Sequence, residues 1–260
     1  ADIQRYQGIM IAAQYTGGRL HPVSFELLGK ARALAEKLQQ KVYAVVAGFG
    51  LEQAGEALLD YGADEVWLYD EPALEHFRIE PHSCAVMDAV EAIKPNTLLI
   101  GATNIGRSLA PRLATRLRTG LTADCTVLDM KPDGELIQIR PAFGGNVMAQ
   151  IVTPNHRPQM ATVRPKVMDS APFGRRAGGT IVRRVLSGEQ LSSKISVIQA
   201  RAGVEEPSLA DAEIIVAVGR GFKSKADLAM AEELACLLQG QIGATRPLVE
   251  AGWVDHSRQI

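Results

Sequence analysis

The sequence has no excess of charge of either sign: 28 Lys and Arg stand against 29 Asp and Glu. A general nucleic-acid binder needs a basic surface to neutralise phosphates, so that class is set aside. No apolar run approaches the ~20 residues needed to span a bilayer, and no membrane span is expected. Cysteine is scarce. Cys84, Cys125 and Cys236 are odd in number and widely spaced, with no CxxC pair. Neither a zinc site nor a disulfide framework is indicated, and a reducing, cytoplasmic setting is the simplest expectation. From the polar start, Ala1 to Tyr6, no signal peptide is expected. His21, His76, His82, His156 and His256 show no HxxxH spacing, and no metal ligand set is expected. A GxSxG nucleophile elbow is missing, as are internal repeats and low-complexity tracts. The Glu232-Glu233 pair reads as a solvated helix face rather than an acid–base pair.

What remains is a chain of 260 residues, 47% hydrophobic and 22% charged, enough for one large domain or two smaller ones. Short apolar runs at Gly8 to Ala13, Val42 to Ala47, Glu65 to Tyr69 and Thr97 to Ile100 read as strands buried on both faces. Between them the apolar spacing predicts helices over 23–39, 51–61 and 84–93, with a further helix over 108–117. Strands separated by helices imply βαβ units: an α/β fold, mainly a parallel sheet with flanking helices. After Gly120 the runs shorten. Strands are predicted at 125–130, 135–140, 147–153, 159–163, 180–186 and 195–202, as a β-rich extension with Gly, Pro, Asp and Asn turns such as Gly144-Gly145-Asn146. Residues 169–179 read as a loop and 203–210 as a linker. Beyond it come a strand at 213–218, a turn at 219–224, a helix at 225–238 and the start of a strand at 241–244. One such unit cannot bury both faces of its strand, so the chain is expected to stop partway through a second domain.

Two segments carry possible chemistry. Gly101 to Ser108 (GATNIGRS) nearly fits the phosphate loop GxxxxGK[ST], but Arg107 stands where the slender Lys is needed. The bland reading is a tight strand–helix turn. Gly219-Arg220-Gly221-Phe222-Lys223-Ser224 follows a clean apolar strand. Its glycines let a ligand approach the backbone, Arg220 and Lys223 add positive charge, and the following helix start suits a phosphate. Ser224 replaces the third glycine of GxGxxG, and an ordinary βα turn is the competing reading. No catalytic constellation emerges. On residues alone, a nucleotide-binding α/β enzyme using Gly101–Ser108 and a redox-inactive docking module both stay open.

Longer stretches carry a family likeness. LLIGATNIGRSLAPRLATRLRTGLTADC (98–125), RPAFGGNVMAQIV (140–152), RPQMATVRP (157–165), VAVGRGFKS (216–224) and GATRPLVEAGW (243–253) occur in the order seen in electron transfer flavoprotein α subunits, the family that includes FixB. The chain resembles that family over most of its length. The resemblance implies residues 1–203 as an N-terminal domain that contacts a β subunit, and 208–260 as the incomplete start of a flavodoxin-like FAD domain. It implies a heterodimeric electron carrier rather than a conventional enzyme, passing electrons through FAD between an acyl-CoA-type dehydrogenase, as in fatty acid oxidation, and another redox partner. The flavin-facing positions it assigns are Gly219, Arg220, Gly221, Lys223 and Ser224 in the turn, then Arg246, Gln259 and Ile260. Arg246 matches the arginine over the isoalloxazine edge, where a cation stabilises the reduced anionic flavin. The family continues with a Gly/Thr/Ser-rich segment, so the FAD site is expected to be incomplete in this chain.

Overall fold

In a computed structural model, the structure describes residues 3–142, 147–174, 178–200, 209 and 212–260. The chain divides into two compact units, Ala1–Val197 and Ile198–Ile260.

The first unit begins with β1 (Ile9–Ala13), a small hairpin of β2 (Tyr15–Thr16) and β3 (Arg19–Leu20), and α1 (Val23–Leu38). β4 (Val42–Gly48), α2 (Glu52–Asp60), β5 (Glu65–Asp70), α3 (Ile79–Ile93), β6 (Thr97–Gly101) and α4 (Asn104–Leu117) follow. Next come β7 (Leu121–Cys125), β8 (Val127–Met130), β9 (Leu136–Ala142), β10 (Val147–Ile151), β11 (Gln159–Val163), β12 (Thr180–Arg184) and α5 (Gly188–Leu191). Seven strands form one parallel sheet in the order β12-β5-β4-β1-β6-β11-β7. The α/β expectation holds. Strand alternation explains the two cores. Ile9 and Ile11 of β1 face the layer under α1 and α2, while Met10 and Ala12 face the layer under α3 and α4. The β-rich extension does two things: β7, β11 and β12 widen the parallel sheet, and β8, β9 and β10 form a separate antiparallel sheet.

Several boundaries differ from the sequence reading. The strand expected at 125–130 is broken into β7 and β8, with Asp124 just before the break held at φ +63°. α3 starts at Ile79, five residues early, because Pro81 lies within the first turn, where no intrahelical N–H is needed. α4 starts at Asn104 rather than 108: the Thr103 hydroxyl caps it, accepting from Gly106 N at 3.1 Å. No strand forms over 195–200; Ile195, Val197 and Ile198 are exposed and pair with no neighbouring strand. Residues 201–202, the Gly144-Gly145-Asn146 turn and nearly all of the 203–210 linker lie outside the described residues.

The edge strand β12 is locked by a polar cluster. Asp88 of α3 accepts from Tyr69 Oη at 2.6 Å and from both Arg184 Nε and Nη2 at 3.1 Å. The Arg184 guanidinium also lies 5.2 Å from the Trp67 ring. Replacing Asp88 with Ala leaves the Tyr69 hydroxyl without its acceptor in a buried position. Thermal unfolding should show a loss of roughly 1–3 kcal/mol. Adding Tyr69→Phe should recover part of it, because the stranded hydroxyl goes too. Equal losses in the single and double variants would disprove the coupling.

The second unit contains β13 (Ile215–Val218), a 3₁₀ turn at Lys225–Asp227, α6 (Leu228–Leu237), β14 (Gln241–Ala244) and α7 (Arg246–Glu250). The helix expected over 225–238 thus opens in 3₁₀ form, fixed by a capping box between Ser224 and Asp227. β13 and β14 run parallel, and Gln259 adds a parallel bridge to Ala244 on the far side of β14. Val218, Leu228, Ala231, Ala244 and Leu248 form a small core.

Candidate functional site

In parallel α/β sheets ligands bind beyond the carboxyl ends of the strands, above all where strand order reverses. In the first unit that point is β1, with β4 on one side and β6 on the other. The crevice there is lined by Gln14, Val45, His82, Ile100, Gly101 and Gly106 and holds only about 40 Å³. That is room for a water or two, far below the ~300–1,000 Å³ of a cofactor site. Local chemistry keeps it shut. Thr103 Oγ1 donates to Gln14 Oε1 at 2.6 Å across the crevice. The near phosphate loop is not a loop: from Asn104 onward its residues belong to α4, leaving only Ala102 and Thr103 to turn the chain. Arg107 leans instead on Asp124, 3.4 Å away. Asp124 also pairs with Arg164 at 2.6 Å, and that hydrogen-bonded guanidinium holds its carboxyl below the usual range.

In the second unit the two turns beyond β13 and β14 lie side by side, joined by Thr245 N donating to Val218 O at 2.9 Å. A Cβ placed on Gly219 would stand 3.2 Å from Thr245 Oγ1, whereas the space around Gly221 is open. Next to these turns lies an open groove of about 760 Å³. Arg246 and Gln259 line it, together with Lys225, Glu250, Trp253 and His256. Of the positions assigned from sequence, the structure therefore brings Arg246 and Gln259 into one groove. Gly219, Arg220, Gly221, Lys223 and Ser224 form the adjacent turn and are not part of its wall. The Ser224 backbone N–H is engaged by the Asp227 carboxylate, donating to Oδ2 at 3.0 Å. Ile260 N donates to Ala244 O at 3.0 Å, and its side chain packs over Gly243.

Lys225, Glu250, Trp253 and His256 were missed in the sequence. One signal was available for Glu250: it stands four residues after Arg246, the spacing that pairs side chains on a helix face. The donor set suits a dinucleotide flavin. Lys225 and Arg246 are cations for a pyrophosphate or a reduced ring, Trp253 offers an aromatic surface, and the open space at Gly221 admits close backbone approach. Among the described residues no three His, Cys, Asp or Glu side chains converge as metal ligands, and no helix is long and apolar enough to cross a membrane.

Comparison with known proteins matches the same two regions. The electron transfer flavoprotein domain matches residues 8–187, and the electron transfer flavoprotein FAD-binding domain matches residues 208–260. "Lactate dehydrogenase (NAD(+),ferredoxin) subunit LctC" of Acetobacterium woodii is 47% identical over the whole of this chain, which spans 62% of that relative's length. "Electron transfer flavoprotein subunit alpha" of Megasphaera elsdenii is 40% identical over the whole chain, covering 78% of that relative. "Protein FixB" of Rhizobium meliloti is 42% identical over the whole chain, covering 75%.

Proposed function

Because this chain belongs to the electron transfer flavoprotein α-subunit family, we propose that it serves as the α subunit of a heterodimeric electron carrier. It works with a β subunit and accepts electrons from an acyl-CoA-type dehydrogenase. Residues 1–203 form the partner-facing domain in this reading, and 208–260 contribute one wall of the FAD site. The observation that carries it is the groove in the second unit, which both Arg246 and Lys225 line. When bound, FAD supplies one- and two-electron chemistry. The protein's own residues bind and orient it and set the local charge. Lys225 and the Gly219–Ser224 turn are suited to a phosphate. Arg246 offers a permanent positive charge where negative charge grows on reduction.

The first unit supports a docking role. Its switch-point crevice is too small for a nucleotide, while its antiparallel sheet leaves Val127, Val147 and Met148 exposed. Apolar surface of that kind suits a protein partner. The setting that goes with this reading is the cytoplasm, where the three free thiols Cys84, Cys125 and Cys236 persist.

The test is co-purification of the complete natural chain with a β subunit. Flavin absorbance and electron transfer to a dye are expected; a complex without flavin would overturn the reading. In the flavin-loaded complex, Arg246→Ala should lower the flavin midpoint potential, reducing the equilibrium with a reference dye roughly tenfold. An unchanged potential would remove Arg246 from the site.

A further inference from the structure

Of the two cations that line this groove, Arg246 is paired with a carboxylate. Arg246 Nε donates to Glu250 Oε1 at 2.8 Å, and Glu250 lines the same groove. The pairing follows from the local sequence. Thr245 at the N-cap and Pro247 in the first turn fix where α7 begins, and the spacing of four then puts Arg246 and Glu250 on one face. The helix is only five residues long. Both side chains are largely exposed, at 75% and 62%, so the pair contributes little to stability. Its consequence is electrostatic: a carboxylate sits within a few ångströms of the charge offered to the cofactor.

We propose that Glu250 is a positioning and tuning residue for the flavin. Its carboxylate orients the Arg246 guanidinium and cancels part of its field, holding the flavin potential below the value Arg246 alone would set. The proposal rests on the reading of this groove as the flavin site. Two effects compete when Glu250 is changed: loss of orientation lowers the potential, and loss of negative charge raises it. Glutamine separates them. Its amide oxygen still accepts from Arg246 Nε, so orientation is kept while the charge is removed. Aspartate keeps the charge.

The experiment is dye-coupled potentiometry on the complete chain in complex with its β subunit, with FAD content measured from absorbance. Glu250→Gln should move the midpoint to more positive potential, raising the equilibrium fraction reduced against the reference dye roughly two- to fivefold. Glu250→Asp should stay close to the wild type. A purely structural role in α7 would change melting temperature and leave the potential alone. With FAD fully bound, an unchanged or more negative potential in Glu250→Gln overturns the proposal while leaving the flavin reading intact. Loss of FAD in Glu250→Gln alone overturns it too, since the residue would then hold the cofactor rather than tune it. A wild-type complex without FAD overturns the flavin reading and this proposal together.

Discussion

Replacing Gly106 with alanine is expected to destabilise the first unit by about 3 kcal/mol, although helix propensity alone points the other way. A glycine inside a helix is normally about 1 kcal/mol worse than alanine. Gly106 lies in the first turn of α4, where the helix runs closest to the end of β6. A Cβ there would sit deep inside the Gly101 carbonyl oxygen, 3.0 Å from the Gly101 carbonyl carbon and 3.1 Å from Ile100 Cγ2. The strand cannot yield. Residues 97–100 of β6 pair with β1, 97–101 pair with β11, and Ala102 N donates to Val163 O at 2.7 Å. The helix must therefore move, taking Leu109, Ala110, Leu113 and Ala114 out of their packing in the core beneath it. Overpacking of this kind costs 1–3 kcal/mol, and rigid backbone on both sides puts this case at the upper end. Gly188 is the control: it opens α5 with nothing within 4 Å, so Gly188→Ala should be neutral or slightly stabilising. Each unit holds one tryptophan, Trp67 and Trp253. Denaturant titration of Gly106→Ala with Trp253→Phe as background would follow the first unit through Trp67. A midpoint equal to that of the background would refute the close-contact argument.

The same glycine shows how far the sequence could be read. The motif around it looked like a phosphate loop because GxxxxG spacing is shared by two jobs: wrapping a phosphate and letting a helix rest on a strand. Only the helix start decides between them, and the Thr103 cap that sets it is a single hydroxyl. The parallel sheet was legible because β1, β4, β5 and β6 are nearly unbroken apolar runs, as strands covered on both faces must be. Pairing was less so. Nothing near Thr180–Arg184 says that it lies beside β5; that choice rests on Arg184 reaching Asp88 and Trp67, about a hundred residues earlier. Ile195–Ala202 carried a strand's composition but found no partner over its described part, a reminder that β propensity measures fit to a sheet. α7 leaves little trace in the sequence although Thr245 and Pro247 are ordinary helix-start signals, because five residues carry too little periodicity to mark a helix. The likeness to a family points to Arg246, whereas its ion pair with Glu250 depends on the short helix α7 that puts the two on one face.

Acid should weaken the first unit well before its carboxylates are protonated, because of His82. The residue sits in the first turn of α3, buried, with its ring centroid 5.0 Å from that of Phe77 and Nδ1 3.0 Å from the Arg78 carbonyl oxygen. Burial pushes its pKa down from 6.5 to about 4; the Arg78 carbonyl bond opposes the shift, and the Arg78 charge adds to it. The positive end of the α3 dipole acts in the same direction as burial. Between about pH 4 and 6.5 the unfolded chain therefore binds a proton at this site that the folded chain refuses. Stability is fully present above pH 6.5 and drains away as pH falls toward 4, by roughly 3 kcal/mol in all. Asp124 and Asp129, whose folded pKa values are lowered from an ordinary value of 3.8, withdraw their stabilisation at lower pH, so the two effects separate along the axis. His82→Gln carries no charge in either state. Its stability should vary far less between pH 7 and 4.5, so the gap between wild type and variant narrows or reverses as pH falls. Melting curves taken every half pH unit on both proteins decide the point. Parallel losses would mean that His82 is protonated in the folded state, and that the ring is better solvated than its place beneath Phe77 implies.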